Sequence, residues 1–364
     1  MKRSSMKRAV LALAVVLTLQ LALAASASAE WKIESEDGST SIKFGFLAQA
    51  RGETLDEIDG ETTRQDLYFR RLRILFGGKL SEKWGFFFET DSPNLGKSTP
   101  EGDKVSGDIF IQDFFFTYNQ SNAFKIDFGM ILIPLSHNSQ QSAASLLPAD
   151  YAPYSFLNSG PTDSKVGRDY GVQLRGYLAG DHLEYRAGVF QGERGEDADN
   201  DFRYVGRVVF YPFETDKGFY YTGTTLGQKH ILALGAGIDH QEDYDAYALD
   251  LFWDRPFGDF GGLTLQVGGI HYDGGDIFTE LPEQDELMVE LGYYFKNLKL
   301  QPMAAYYSRD FEAEQLNDQS QLLLGLGYYF KGHNRVLKFS YTDIATDNLP
   351  DRDQFILQMQ IFMF

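Results

Sequence analysis

The chain contains no cysteine. That excludes a disulfide framework, a lipoprotein (which needs an acylated cysteine at its cleavage point) and covalent haem of its own, since no C-x-x-C-H is present. Basic residues are scarce, 33 against 52 acidic ones for a net charge of −19, which argues against nucleic acid as a partner. Beyond the first 29 residues no apolar run reaches about 18 residues, so no transmembrane helix is expected. G-x-S-x-G and H-E-x-x-H are absent. The six histidines, His137, His182, His230, His240, His271 and His333, stand in separate segments without metal-ligand spacing. Asp197, Asp199 and Asp201 lack the rest of a calcium loop and read as a solvated surface loop. No metal, cofactor or enzymatic activity is expected.

Met1–Ala29 reads as a cleaved signal peptide. Lys2, Arg3, Lys7 and Arg8 form a basic start, Ala9–Ala24 an apolar centre, and Ala27-Ser28-Ala29 an A-x-A site. Without its four basic residues the net charge moves from −19 to −23. Residues 30–364 then form one exported domain, and period-2 alternation runs through most of it. Leu287, Val289, Leu291 and Tyr293 alternate with Met288, Glu290, Gly292 and Tyr294; Leu72, Ile74 and Phe76 alternate with Arg71, Arg73, Leu75 and Gly77. A secreted β-sandwich also alternates, with its polar face outside. The segments here run about 9–12 residues, near the length that crosses a bilayer at a tilt, where soluble strands average about 5–6.

Sixteen segments are expected: 41–52, 66–78, 84–91, 109–119, 124–133, 167–178, 182–192, 203–212, 230–241, 245–254, 262–272, 285–295, 298–308, 319–330, 334–342 and 354–364. An even count suits an all-β, closed antiparallel transmembrane β-barrel with both termini on one side. Connectors alternate between tight turns and longer polar loops, as such a barrel requires. Two break the rule: 212–229 is long where a turn is due, and 241–244 is short where a loop is due. Aromatics gather at the turn ends, as in Tyr293-Tyr294-Phe295, Tyr328-Tyr329-Phe330, Trp253 and Trp84. The last strand is ambiguous. Leu357, Met359, Ile361 and Met363 oppose Gln358 and Gln360, which turns Phe362 and Phe364 inward unless a bulge intervenes.

Phe69–Leu80 (FRRLRILFGGKL), Trp84-Gly85-Phe86, Gly129–Ser136 (GMILIPLS), Arg168–Val172 (RDYGV), Gly188–Gly192 (GVFQG), Arg207–Phe213 (RVVFYPF) and Pro256–Asp259 (PFGD) follow one another along nearly the whole mature chain. In that order they resemble the phosphate-selective porin O and P family of Gram-negative outer membranes. The resemblance implies a sixteen-stranded barrel, commonly a homotrimer, that passes small hydrophilic solutes. It also implies that the loop after the fifth strand folds into the lumen as a constriction, and 134–166 is the longest connector here. The barrel's remaining partners would be outer-membrane lipid and lipopolysaccharide.

Parity assigns the non-lipid face. Its basic members are Lys43, Arg51, Arg71, Arg73, Lys125, Arg175, Arg186, Arg203, Arg207, Lys299 and Lys338. Its acidic members are Glu89, Asp91, Asp113, Asp127, Asp169, Glu184, Asp239, Asp250, Asp254 and Glu290. Guanidinium suits phosphate or carboxylate through its bidentate fork, and charged pore walls select ions by sign. Arg51, Arg71, Arg73, Arg175, Arg186 and Arg207, with Lys125, are therefore candidates to line a modestly anion-preferring path. The alternative is that they pair with Asp113, Asp127, Asp169 and Glu184 as scaffolding, facing Asp239 and Asp250 across the lumen. Members of the family that select phosphate carry basic residues on the constriction loop. Here that loop offers only His137, Asp150, Asp163 and Lys165 besides tyrosines, with Tyr151 and Tyr154 placed to pack it against the wall.

Three functions compete. The first is a porin for passive diffusion of small hydrophilic or anionic solutes. The second is a barrel that sheathes a periplasm-to-surface partner such as a multihaem cytochrome. The third is an outer-membrane phospholipase, for which no serine pairs with a histidine in any signature.

Overall fold

The computed structural model describes residues 31–364 apart from 101, 160–165 and 196–197. The expected signal peptide, Asp163 and Lys165 lie outside the described residues. After a short strand β1 (Trp31–Glu34), sixteen strands follow: β2 (Ser41–Asp56), β3 (Thr63–Lys79), β4 (Trp84–Asp91), β5 (Phe110–Ser121), β6 (Phe124–Leu132), β7 (Arg168–Leu178), β8 (Leu183–Phe190) and β9 (Arg203–Phe210). The second half comprises β10 (Ile231–Gln241), β11 (Tyr244–Pro256), β12 (Gly261–Asp273), β13 (Gln284–Phe295), β14 (Leu300–Phe311), β15 (Gln319–His333), β16 (Arg335–Thr346) and β17 (Arg352–Met363). Each pairs antiparallel with its neighbours in sequence, β9 pairs with β10, and β17 closes on β2. Closure matters because hydrocarbon offers no hydrogen bonds to a bare strand edge.

Side chains follow the expected alternation. On β13 Leu287 and Leu291 face outward and are exposed, while Met288, Glu290 and Gly292 are buried inside. At the end where the chain termini lie, outward rings form a girdle. Trp31–Phe44, Phe44–Phe76, Phe76–Phe88 and Phe116–Phe128 have centroids 5.5, 5.1, 5.8 and 5.4 Å apart. Such rings suit the headgroup depth.

Three local features differ from the expectation, and the open parity of the last strand is resolved. β1 was not foreseen; its four residues pair with Ser41–Phe44 of β2, just below the point where β17 leaves that edge. β2 and β3 reach 16 and 17 residues, longer than the hydrophobic pattern alone marks. The β17–β2 ladder runs without a bulge to Met363, so Phe362 and Phe364 keep the inward parity of Gln358 and Gln360. Phe364 meets inward Phe87 at 5.7 Å. Lys299 sits at φ 55° in the exposed turn before β14 rather than on the inner wall.

Two connectors stand out. The first joins β6 to β7 at the end opposite the termini. The second, 211–230, joins β9 to β10 at the termini end, and the tight link 242–243 joins β10 to β11. Both irregular lengths seen in the sequence are therefore real.

Candidate functional site

The inner wall is where the charges are. On the β2–β9 half every sequence-predicted arginine is buried with a carboxylate or a carboxylate-bearing loop. Arg73 bonds Glu89 at 2.6 Å and Asp91 at 2.8 Å. Arg175 holds Asp127 through Nε at 2.5 Å, and Arg186 holds Glu184 at 2.7 Å. Arg203 pairs with Asp239 through Nε at 2.6 Å, and Arg207 grips Asp250 bidentately at 2.7 and 2.8 Å. A charge taken out of water requires a partner of opposite sign, and this wall provides one for each. Asp113 takes Arg168, which parity had not placed inside. Among the described residues Asp169 is paired with no arginine: it accepts the backbone amides of Tyr170 and Gly192. Lys125 lies near the termini end, its Nζ 5.2 Å from the Tyr177 ring centre.

The segment after β6 bonds to inward side chains around the barrel. Gln49 of β2 donates to the Ala143 carbonyl at 3.2 Å, and Lys338 of β16 donates to the carbonyls of Leu146 and Pro148 at 2.5 and 2.8 Å. Asn158 donates to Asp239 at 2.8 Å. His137 donates its backbone N–H to Asp250 at 3.0 Å and places its ring between Phe252 and Tyr221, 4.3 and 4.9 Å away. Burial is the main cause that pushes the His137 imidazole down to about 3, with nearby Arg207 and Arg186 adding to it. Two wall glycines make room for the segment. A Cβ on Gly237 would lie 2.0 Å from the Leu135 carbonyl oxygen, and one on Gly292 would lie 2.6 Å from Leu147.

Asp150 is the one acidic anchor of this segment among the described residues, and it collects three guanidiniums. Arg71 reaches it at 2.6 Å, Arg70 at 2.8 Å and Arg51 at 2.9 Å. Burial opposes its ionisation, but the three cations outweigh that and hold its carboxyl well below the ordinary carboxylate range. Arg70 was missed by parity for a definite reason. A β-bulge lies between β2 and β3, where Gln49 faces Arg71 but Ala50 faces Phe69, so Arg70 is the extra residue and turns toward the lumen. Two adjacent arginines in an otherwise strictly alternating strand were the available signal. Tyr151 donates its hydroxyl to the Gln141 carbonyl at 2.8 Å and carries Arg71 over its ring at 5.3 Å. Tyr154 lies on the far wall, with Arg309 over its ring at 5.0 Å.

The 211–230 connector also turns inside and meets the first segment. Tyr221 N–H donates to the Gln140 carbonyl at 2.8 Å, and Ser142 N–H donates to the Tyr221 carbonyl at 2.9 Å. Phe219 stacks on Phe115 at 4.2 Å. Arg186 ties both segments to the wall by donating to the Gln140 side chain at 2.7 Å and to the Phe219 carbonyl at 2.8 Å. No motif marks this second ingress; only the length of the connector hints at it.

The sequence model of the family described as phosphate-selective porin O and P matches residues 43–229. Solved structures similar to the chain are porins at low identity. OmpF of Salmonella typhi, solved with daunomycin, superposes with a TM-score of 0.59 at 14% identity, covering 91% of this chain and 100% of its own. The anion-selective porin of Comamonas acidovorans gives 0.60 at 13%, covering 89% and 100%. The trimer form of Vibrio cholerae OmpT gives 0.54 at 12%, covering 89% and 99%. No curated protein matches the chain.

Proposed function

This chain belongs to the phosphate-selective porin O and P family, outer-membrane channels of Gram-negative bacteria that pass small solutes, and from that premise we propose a diffusive path with modest anion preference set at Asp150. Family and fold are those of a channel rather than an enzyme. The observation that carries the anion preference is the imbalance around Asp150: it is reached by Arg51, Arg70 and Arg71, and although Arg51 also lies 3.9 Å from Glu53, Glu53 is itself bound by Lys97, so cations outnumber carboxylates beside the inward segment. Elsewhere on that wall arginine and carboxylate meet about one to one, so those pairs brace the barrel and contribute little net field. In this reading the 134–166 segment constricts the lumen, and Arg51, Arg70 and Arg71 are the residues that anionic solutes meet there. Phosphate specificity is not part of the proposal, because the described part of the segment brings no arginine or lysine of its own. The channel would work as a homotrimer, with lipid and lipopolysaccharide around it; the trimeric Vibrio cholerae structure supports this by shared fold alone. A cytochrome sleeve would need an unobstructed bore, and segments from both mouths bonded across the lumen weigh against it.

The test is the reversal potential of the refolded protein in a planar bilayer across a KCl gradient. A modest chloride preference is expected, and R70Q/R71Q should move it toward neutrality or cation preference. A clear cation preference in the unaltered protein would overturn the proposal.

A further inference from the structure

The 211–230 connector is a strap across the lumen, seated on two walls. On one side Phe219 stacks on Phe115 of β5, and Arg186 of β8 donates to the carbonyls of Gly218 and Phe219 at 3.2 and 2.8 Å. On the other side Thr225 donates its N–H and its hydroxyl to Asp254 of β11 at 2.7 and 2.8 Å. The Thr224 hydroxyl meets that of Thr264 on β12 at 2.9 Å, and the Thr224 carbonyl accepts from His333 Nε2 at 2.9 Å. Between these seats the strap runs along the segment that follows β6. Gln141 and Tyr221 form a parallel β-bridge, and Gly223 N–H donates to Ser145 Oγ at 3.0 Å. A Cβ on Gly223 would lie 2.4 Å from the Ser145 carbonyl oxygen, so only glycine lets the two chains lie this close. The seam thus joins 140–145 of the outer segment to 221–223 of the inner strap.

The two sides of the seam are held with unequal strength. The outer segment is tied to the wall by ions: three guanidiniums close on Asp150, and the Lys338 ammonium grips the carbonyls of Leu146 and Pro148. Pulling it away would strand buried charges. The inner strap is tied mostly by hydroxyls, backbone groups and stacked rings. Among the described residues its own side chains make one ion pair with the wall, Lys217 with Asp181, and that pair is exposed and therefore weak. If the strap left, Arg186 would keep Glu184 at 2.7 Å, and Asp254 would keep the Thr264 hydroxyl and gain water. Parting the seam by moving the inner strap has the smaller cost, and segments of low local stability are the ones that open. We propose that this strap is the channel's gate: ions pass when 220–223 parts from 140–145 and swings toward the termini end, while the outer segment stays on its anchors. The gate rests on the channel reading and is independent of the ion preference at Asp150.

The chain has no cysteine of its own, so Q141C/Y221C places a single thiol pair across the bridge. Bridge partners lie within the Cα spacing that a disulfide accepts, roughly 4.4–6.8 Å. The experiment is single-channel current through the reconstituted full-length protein in KCl, recorded before and after dithiothreitol. The oxidised variant should lose nearly all current and regain it on reduction, whereas the unaltered protein should be indifferent to the reagent. A second variant, with 216–225 replaced by two glycines, removes the strap's side of the seam and leaves the anchors of the outer segment in place; it should stay open without closing steps. The two variants act independently, so one that folds suffices. Equal current in the oxidised and reduced forms, or a shortened variant that closes as often as the unaltered protein, would overturn the gate. Absence of current in both the unaltered protein and the shortened variant would overturn the channel reading, and the gate with it.

Discussion

The two halves of the barrel solve the same problem differently. From β2 to β9 the inner wall is arginine against carboxylate, as in Arg73 with Glu89 and Asp91, or Arg175 with Asp127. From β12 to β17 it is mostly amide, hydroxyl and phenol: Gln266, Gln301, Gln358 and Gln360 with Thr264, Tyr307 and Thr342. The first wall is stiff because each buried charge is committed to a partner. The second is permissive, since neutral groups can lose a partner to a passing solute at smaller cost. Strength of commitment, rather than polarity, separates them.

That contrast can be broken at its strong end first. R207A or D250A should each cost about 3–5 kcal/mol in urea unfolding of the folded protein in detergent, because either leaves a buried ion alone. Replacing both with apolar residues of similar volume should recover most of the loss; equal loss in the double variant would show that the pair is not the unit. Next, G237A should cost about 1–3 kcal/mol through overpacking against the Leu135 carbonyl. It should also raise both conductance and protease cleavage within 134–159, and unchanged cleavage would mean the segment is not seated by that glycine.

A pH test sharpens the same comparison. His137 is held neutral, with its value lowered from 6.5 to about 3 by burial. Its contribution to stability is therefore complete above the unfolded value near 6.5 and declines as pH falls from there toward 3. The slope for one such group is at most about 1.4 kcal/mol per pH unit. H137Q should flatten the unfolding profile between pH 6.5 and 4. Asp150, with its lowered value, contributes fully above the ordinary carboxylate range and loses that contribution progressively as pH falls through that range toward its lowered value. The smallest effect is expected on the permissive wall: T342V, which removes one neutral hydroxyl, should change stability by no more than about 1.5 kcal/mol in the same assay. A loss of several kcal/mol there would erase the distinction.

Much of this was legible in the sequence because a barrel writes its inside and outside into every second residue. The sixteen strands, the closure and the buried placement of Arg51, Arg71, Arg175, Arg186 and Arg207 all follow from that parity. Parity fails where the ladder does: the bulge at Arg70 moved a third arginine onto Asp150, and Arg168 at the start of β7 reached Asp113. It also says nothing about which carboxylate an arginine will choose, which is why Asp169 was wrongly grouped with the pairs. Connectors carry no period at all, so the inward turn of 211–230 could be suspected only from its length. The parity of the last strand stays open in the sequence, because a bulge would turn Phe362 and Phe364 outward; the unbroken β17 ladder points them inward.

The bonds between Tyr221 and residues 140 and 142 link a strap rooted at one mouth of the cylinder to a strap rooted at the other. Neither can swing aside without surrendering partners held by its counterpart, and Arg186 clasps both. A passage guarded in this manner would toggle as one latch, so current traces should step between full and shut levels instead of creeping through intermediate ones.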